Sequence, residues 1–296
     1  MKVLNYGSLN VDYVYQVPHM VTAGETLLSS KLNVFSGGKG LNQSIALAKA
    51  GVAVDHAGMI GSDGRFLLDE CTRYGVGTNF LKKTDEKNGH TIIQVDETGQ
   101  NCILLYGGTN QMQTKEYIDD VLSHFSGGDV LVLQNEVNLL DYLIDRASEL
   151  GMRIILNPSP MNDSVLSCAL EKVDLFLLNE IEGEQLTGTD DPEQILNRLH
   201  EKYPAASFVL TLGSRGAWYY DGTKKAFQDI FPVKAVDTTA AGDTFTGYFI
   251  AAMLDGMAVE DCLKRAALAS SIAVSRAGAA PSIPSKEEVE EALNRI

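Results

Sequence analysis

Short apolar runs and amphipathic stretches alternate along most of this chain. Val3 to Leu9 forms a compact run that stops at a Gly-Ser turn, the pattern of a buried strand. Similar runs predict strands near 53–60, 129–133, 152–157, 173–177 and 206–212. Helical spacing predicts a helix from Leu41 to Ala50, closed by Gly51, and others near 64–74, 114–124, 138–150, 180–187 and 192–202. Residues 13–36 depart from this rhythm. Val14, Tyr15 and Val17, then Thr26 to Phe35, are extended and partly polar, and Pro18 and Gly24 break them. That pattern suits a small exposed sheet inserted after the first strand. Two more strands, near 90–96 and 101–106, bracket Thr98-Gly99 as a hairpin, and 241–295 is mostly helical. The alternation implies a mainly parallel sheet covered by helices. The expected organisation is one α/β domain over 1–296 with a small β element from about 13–36 and 88–106.

Composition narrows the partners more than the fold. The 296 residues are 45% hydrophobic and 21% charged, with a formal net charge of −15. That field argues against nucleic acid or an anionic membrane as the main partner, although a local cradle can still hold a small anion. Cys71, Cys102, Cys168 and Cys262 form no Cys-x-x-Cys pair and read as scattered reduced thiols. No two of the five histidines have metal-ligand spacing. No run of about 20 apolar residues offers a membrane span. The opening segment lacks the apolar core of a signal peptide, so the expected location is cytoplasmic.

The strongest chemical signal is Asp237-Thr238-Thr239-Ala240-Ala241-Gly242-Asp243-Thr244-Phe245. Small residues lead into an aspartate just as a helical pattern begins. A helix start leaves N–H groups without intrahelical partners and carries partial positive charge. Ala240, Ala241 and Gly242 would let an anion reach those amides, with Asp243 beside it as a general base. The same residues also suit a plain N-cap aspartate after a glycine turn. Ser36-Gly37-Gly38-Lys39-Gly40-Leu41-Asn42-Gln43 joins a strand to a helix with three glycines. It is not a Walker A loop, because Gly40 stands where Ser or Thr must follow Lys, and Gln43 breaks a dinucleotide fingerprint.

Other candidates fall at predicted strand ends, where ligands bind in open α/β sheets. Asn10 and Asp12 could hydrogen-bond hydroxyl groups or simply form a turn, and Glu136 could cap a helix. Asn179 and Glu182 could organise water around Mg²⁺, or only complement a helix start. Thr211, Gly213, Ser214 and Gly216 could line a nucleotide or form a loop. The small-residue tail from Arg276 to Ser282 could offer carbonyl oxygens to a monovalent cation, or terminate a helix at Gly278.

Taken together, these segments resemble the ribokinase-like carbohydrate kinases, the PfkB family, along nearly the whole chain. Gly37 to Asn42 is similar to the family's first signature, Asp237 to Gly247 to its second, and Asn179-x-x-Glu182 to its Asn-x-x-Glu motif. The resemblance implies a three-layer α/β/α fold with a mainly parallel central sheet and a small β-sheet lid. It implies transfer of a phosphoryl group from ATP to the primary 5-hydroxyl of D-ribose. Deoxyribose, a ketose or a nucleoside such as adenosine are alternatives on the same fold. Asp243 would be the base, with Ala240, Ala241 and Gly242 as anion hole. Asn10, Asp12, Gly38, Lys39, Gly40, Asn42 and Glu136 would hold the sugar. Asn179, Thr211, Gly213, Ser214, Gly216 and Gly242 would line the ATP site, and Glu182 would act on Mg²⁺ through water. Asp237, Thr239, Ala273, Arg276, Gly278 and Ser282 would surround K⁺. Paired lids would make a homodimer. Leu41, Ala267 and Thr246 stand where ribokinases commonly carry Ala, His and Asn. A catalytically silent binding protein on this fold is the remaining reading, and the intact Asp243 and glycine cradle argue against it.

Overall fold

The computed structural model describes residues 1–296. The strands are β1 Val3–Tyr6, β2 Asn10–Gln16, β3 Lys31–Gly37, β4 Val54–Ile60, β5 Gly77–Lys83, β6 Gly89–Val95, β7 Asn101–Tyr106, β8 Val130–Gln134, β9 Arg153–Asn157, β10 Leu175–Asn179, β11 Ser207–Thr211, β12 Ala217–Tyr220 and β13 Lys225–Gln228. The helices are α1 Lys39–Lys49, α2 Arg65–Arg73, α3 Lys115–Leu122, α4 Leu140–Glu149, α5 Asp163–Leu166, α6 Glu180–Thr187, α7 Pro192–Lys202, α8 Ala241–Leu254, α9 Val259–Val274 and α10 Lys286–Leu293. No helix is long and apolar enough to cross a membrane.

Nine strands form one sheet in the order β13-β12-β11-β10-β9-β8-β1-β4-β5, parallel from β11 to β5. Its central strands are apolar on both faces because helices cover both. In β8, Val130 and Val132 enter one core while Leu131 and Leu133 enter the other; β10 splits Leu175 and Leu177 from Phe176 and Leu178 in the same way. The first core lies under α1, α2, α8, α9 and α10, and the second under α3, α4, α6 and α7. A separate four-stranded sheet, β3-β2-β6-β7, pairs β2 with β6 in parallel and its other neighbours antiparallel.

Several boundaries differ from the sequence reading. The first strand ends at Tyr6, and Asn10 opens a strand of the small sheet instead of ending the large one. β3 begins only at Lys31, so Thr26 to Ser30 precede it. The strand pattern also missed β5, β12 and β13. β5 is a half-exposed, polar edge strand without a clean alternation. The β12–β13 hairpin carries a legible Asp221-Gly222 turn after the aromatic run Trp218 to Tyr220.

Helix α8 is buried all round from Asp243 to Ala252, lying between α1 and α9. Its close approach to α1 depends on Gly247. A methyl group there would sit 2.9 Å from the Ala46 carbonyl carbon and the Leu47 nitrogen. One turn back along each helix lie Asp243 and the pair Asn42 and Gln43, so this contact sets their separation. Gly247→Ala is expected to destabilise the protein by about 1–3 kcal/mol and to lower turnover with it. Thermal melts and steady-state rates on the same preparation check this; an unchanged melting temperature would show that α8 gives way freely.

Candidate active site

The chain leaves β1 for β4 and β5 on one side, then returns to β8 and continues to β11 on the other. The crevice at this reversal, outside the carboxyl ends of β1 and β8, is the expected ligand position. The starts of α1, α6 and α8 point into the same region. A narrow cavity of about 70 Å³ there is lined by Lys39, Asn157, Ser159, Leu177, Leu178, Asn179, Glu182, Thr211, Gly242, Asp243 and Thr246. A larger groove of about 430 Å³ runs along β5 and α3. Its Tyr117 hydroxyl is spent on the backbone of Gly58 and Phe80.

The entry to α8 is a tight turn through Ala240, which adopts a left-handed backbone (φ 59°, ψ 10°) without being glycine. Thr244 holds this turn by donating both its N–H and its hydroxyl to the Ala240 carbonyl, each at 2.8 Å. A left-handed non-glycine residue costs energy and persists where its surroundings fix it, often at a functional site. Of the three residues expected to form the anion cradle, Ala241 spends its N–H inside the turn, 3.2 Å from the Thr238 carbonyl. The N–H groups of Ala240, Gly242 and Asp243 have no protein acceptor, so free donors lie on both sides of Ala241. A side chain at Gly242 would meet open space.

Asp243 is buried and receives two amide donors from α1. Asn42 Nδ2 lies 3.1 Å from Oδ2, and Gln43 Nε2 lies 3.0 Å from Oδ1. Asn42 Oδ1 is buried and has no partner within the protein. The α1 entry that places both residues runs through Gly38 (φ 93°) and Gly40, whose Cα lies against the backbone of Gly7 and Ser8. Glu136 accepts from the Lys39 N–H at 2.8 Å and from the Ser8 hydroxyl, tying the end of β8 to this entry. Burial pushes the Glu136 carboxyl above its ordinary value, against the Ser8 and Lys39 contacts that lower it. Lys39 is the only cation lining the cavity. Burial opposes its charge, but Asp243, Glu136 and Glu182 together outweigh that and raise its pKa.

Asn10 and Asp12 belong to the small sheet. Asn10 Oδ1 accepts from Asn110 Nδ2 at 2.7 Å, which leaves its own amide hydrogens free. Asp12 accepts from the Thr91 hydroxyl at 2.6 Å, and burial raises its pKa despite that bond.

At the other end of the cavity, Asn179 and Glu182 form a reciprocal capping box on α6. Glu182 N–H donates to Asn179 Oδ1 at 2.9 Å, and Asn179 N–H to Glu182 Oε2 at 3.0 Å. The plain helix-start reading is therefore correct, and both residues still line the cavity. Thr211 lines it as well. Gly213 and Ser214 lie in the exposed turn beyond β11, Gly216 is buried at its end, and all three lie outside the cavity wall.

The two segments expected around a monovalent cation do meet. Asp237 accepts from Thr239 N–H and hydroxyl at 2.9 and 2.6 Å, and from Gly278 N–H at 2.9 Å. These hydrogen bonds outweigh burial and hold its carboxyl below the ordinary value. The Arg276 side chain is paired with Glu288. Ser282 is fully buried, its hydroxyl donating to the Ala279 carbonyl at 2.7 Å.

Sequence reasoning passed over Gln43, Ser8, Asn110 and Gln134. Gln43 carried a signal, since it sits four residues after Lys39 and so on the same helix face. The other three are joined to the site only by long-range contacts.

The model of the pfkB family carbohydrate kinases matches residues 1–286 of this chain. A ribokinase of Haemophilus influenzae is 31% identical over 97% of this chain and 96% of its own. A deoxyribokinase of Salmonella typhi is also 31% identical, over 99% of both. The solved structure of Arabidopsis thaliana ribokinase complexed with ribose and ATP is similar at a TM-score of 0.86. It is 28% identical, covering 99% of this chain and 98% of that one.

Proposed function

This chain belongs to the pfkB family of carbohydrate kinases, and from that premise we propose that it transfers the γ-phosphoryl group of ATP to the 5-hydroxyl of D-ribose. The products are D-ribose 5-phosphate and ADP. The observation that carries this reading is the geometry at the start of α8: a buried carboxylate, held by two amides, beside free helix N–H groups. Asp243 takes the proton of the attacking hydroxyl. The Gly242 and Asp243 amides receive the charge that spreads over the transferring phosphoryl oxygens. Asn10 and Asp12 from the small sheet, and Gly38, Gly40, Asn42 and Glu136 from the large one, hold the sugar. Lys39 stands between sugar and phosphates. Asn179, Thr211 and the turn of Gly213, Ser214 and Gly216 take the nucleotide.

The residues fit the expected ions. Glu182 gives one cavity-lining carboxylate, enough for Mg²⁺, which keeps most of its waters when substrate phosphates share it. Bound there, Mg²⁺ supplies charge neutralisation at the phosphates. The junction of Asp237 and Thr239 with 273–282 brings a carboxylate close to a hydroxyl and main-chain carbonyls, oxygen ligands of the kind K⁺ would take. Ala273, Arg276, Gly278 and Ser282 would contribute main-chain carbonyls or a hydroxyl.

The small sheet acts as the lid. Leu32, Val34, Phe35, Ile92, Ile103, Leu104, Leu105 and Tyr106 are exposed on it. That much apolar surface suits a covered interface, here the lid of a second copy in a homodimer. The cytoplasm is the location that fits ATP as phosphoryl donor.

ADP release with ATP, Mg²⁺ and K⁺ is the test, run against D-ribose, 2-deoxyribose, fructose and adenosine. Highest kcat/KM on D-ribose, reduced when K⁺ is omitted, is the expected result. Preference for 2-deoxyribose is the second reading, favoured by the Salmonella typhi deoxyribokinase that is 31% identical. Preference for adenosine would overturn the sugar assignment.

A further inference from the structure

Beneath Asp243 lies a chain of buried amides whose direction is set at fixed backbone carbonyls. Asn5 Nδ2 donates to the Gly40 carbonyl at 2.7 Å and to Ser44 Oγ at 2.8 Å. A carbonyl only accepts, so the amide of Asn5 has one possible orientation and its Oδ1 is an acceptor. Gln134 Nε2 donates to that Oδ1 at 2.9 Å and to Gln43 Oε1 at 2.7 Å. Turning the Gln134 amide over would bring its oxygen against two other acceptor oxygens. Gln43 therefore presents Nε2 on its far side, where it meets Asp243 Oδ1 at 3.0 Å and Asn157 Oδ1 at 3.2 Å. Asn157 is fixed independently, since its Nδ2 donates to the Leu177 carbonyl at 2.8 Å.

The other branch closes just as firmly. Burial lowers the His56 pKa to about 4, so its ring is neutral. Nε2–H faces the Gly7 carbonyl at 3.2 Å, which leaves Nδ1 to accept from the Ser44 hydroxyl at 2.7 Å. Asn5, Gln43, Ser44, His56 and Gln134 are all fully buried. Gln134 Oε1 is the one buried atom of this network without a partner in the protein, and the remaining hydrogen bonds hold such a buried network rigid.

We propose that Gln43 is the positioning residue of the catalytic base, and that Gln134 and Asn157 fix which end of its amide Asp243 meets. Gln43 touches no reacting atom. It acts by holding the Asp243 carboxylate in one rotamer, with Oδ1 occupied and the other oxygen turned toward Asn42 and the substrate hydroxyl. This rests on the assignment of Asp243 as base.

The test is a double-mutant cycle on kcat. Gln43→Met keeps an unbranched chain of similar length and removes the donor. It is expected to lower kcat roughly ten- to a hundredfold, with KM for ATP and for the sugar changed less than about threefold. In an Asp243→Asn background the same substitution is expected to have almost no further effect, because Gln43 acts through that carboxylate. An unchanged kcat for Gln43→Met would overturn the proposal. So would an equal loss in both backgrounds, which would mean a general structural role. If Gln43→Met does not fold, Gln134→Met carries the same cycle: a several-fold loss confined to the parent background supports the proposal, and no loss or an equal one overturns it. High turnover in Asp243→Asn alone would instead remove the base assignment, a separate outcome from either.

Discussion

Asp243→Asn is expected to lower turnover about a hundredfold or more, the range of a general base, while ATP still binds. The carboxylate sits where two amide donors converge, from Asn42 and Gln43. An asparagine there can accept from only one of them, and its own NH₂ faces the other donor. The substitution should therefore cost about 1–3 kcal/mol of stability from the unmatched group in addition to its chemical effect. Titration with ATP and single-turnover phosphorylation separate the two. Near-normal single-turnover rates would show that another group takes the proton.

Lys39→Met is expected to lower kcat/KM for MgATP by roughly 10²–10³, as for loss of one preorganised charge-stabilising donor. Lys39 is the only cation among the cavity-lining residues, where Asp243 and Glu182 already place negative charge and a polyphosphate would add more. Lys39→Arg should recover only part of the loss, because the guanidinium is wider than the ammonium. The lysine also has a predictable pH signature. Its pKa is raised in the fold, so the protonated form is favoured there over the unfolded chain. The stabilisation this provides is complete below the unfolded value of about 10.4 and fades as pH rises through the higher folded value. The stability difference between the parent and Lys39→Met should accordingly stay flat from neutral pH to about 9 and shrink only above about 10.4. A difference that shrank already between pH 7 and 9 would mean that the three carboxylates fail to offset burial.

Much of the site was legible because its residues are local. The α8 entry and the α1 entry are short segments whose glycines, small residues and aspartate are adjacent in sequence, and the fold brings them together. Central strands such as Val130 to Leu133 were equally plain, since burial on both faces leaves an uninterrupted apolar run. The edge strands of the large sheet were not. β5 pairs on one side only and keeps lysines at its end, so it shows neither alternation nor an apolar run. The amide network was invisible for another reason. Asn5, Gln43 and Gln134 lie far apart in sequence, and a buried glutamine has no local mark that separates it from an exposed one. In sequence, Gln43 mattered only for the glycine it was not. Nothing local in the sequence reveals that Ala241 spends its N–H on Thr238.

The residues proposed to hold the sugar are divided between two bodies. Asn10 and Asp12 ride on the four-stranded sheet, while Asn42, Glu136 and Asp243 are fixed to the nine-stranded one. A molecule that grips both becomes a strut between them, and their spacing becomes a variable in its own affinity. A compound that reaches only one sheet has no lever on that spacing, however tightly it binds. Size selection can thus reside in the span between the sheets as much as in any single side chain.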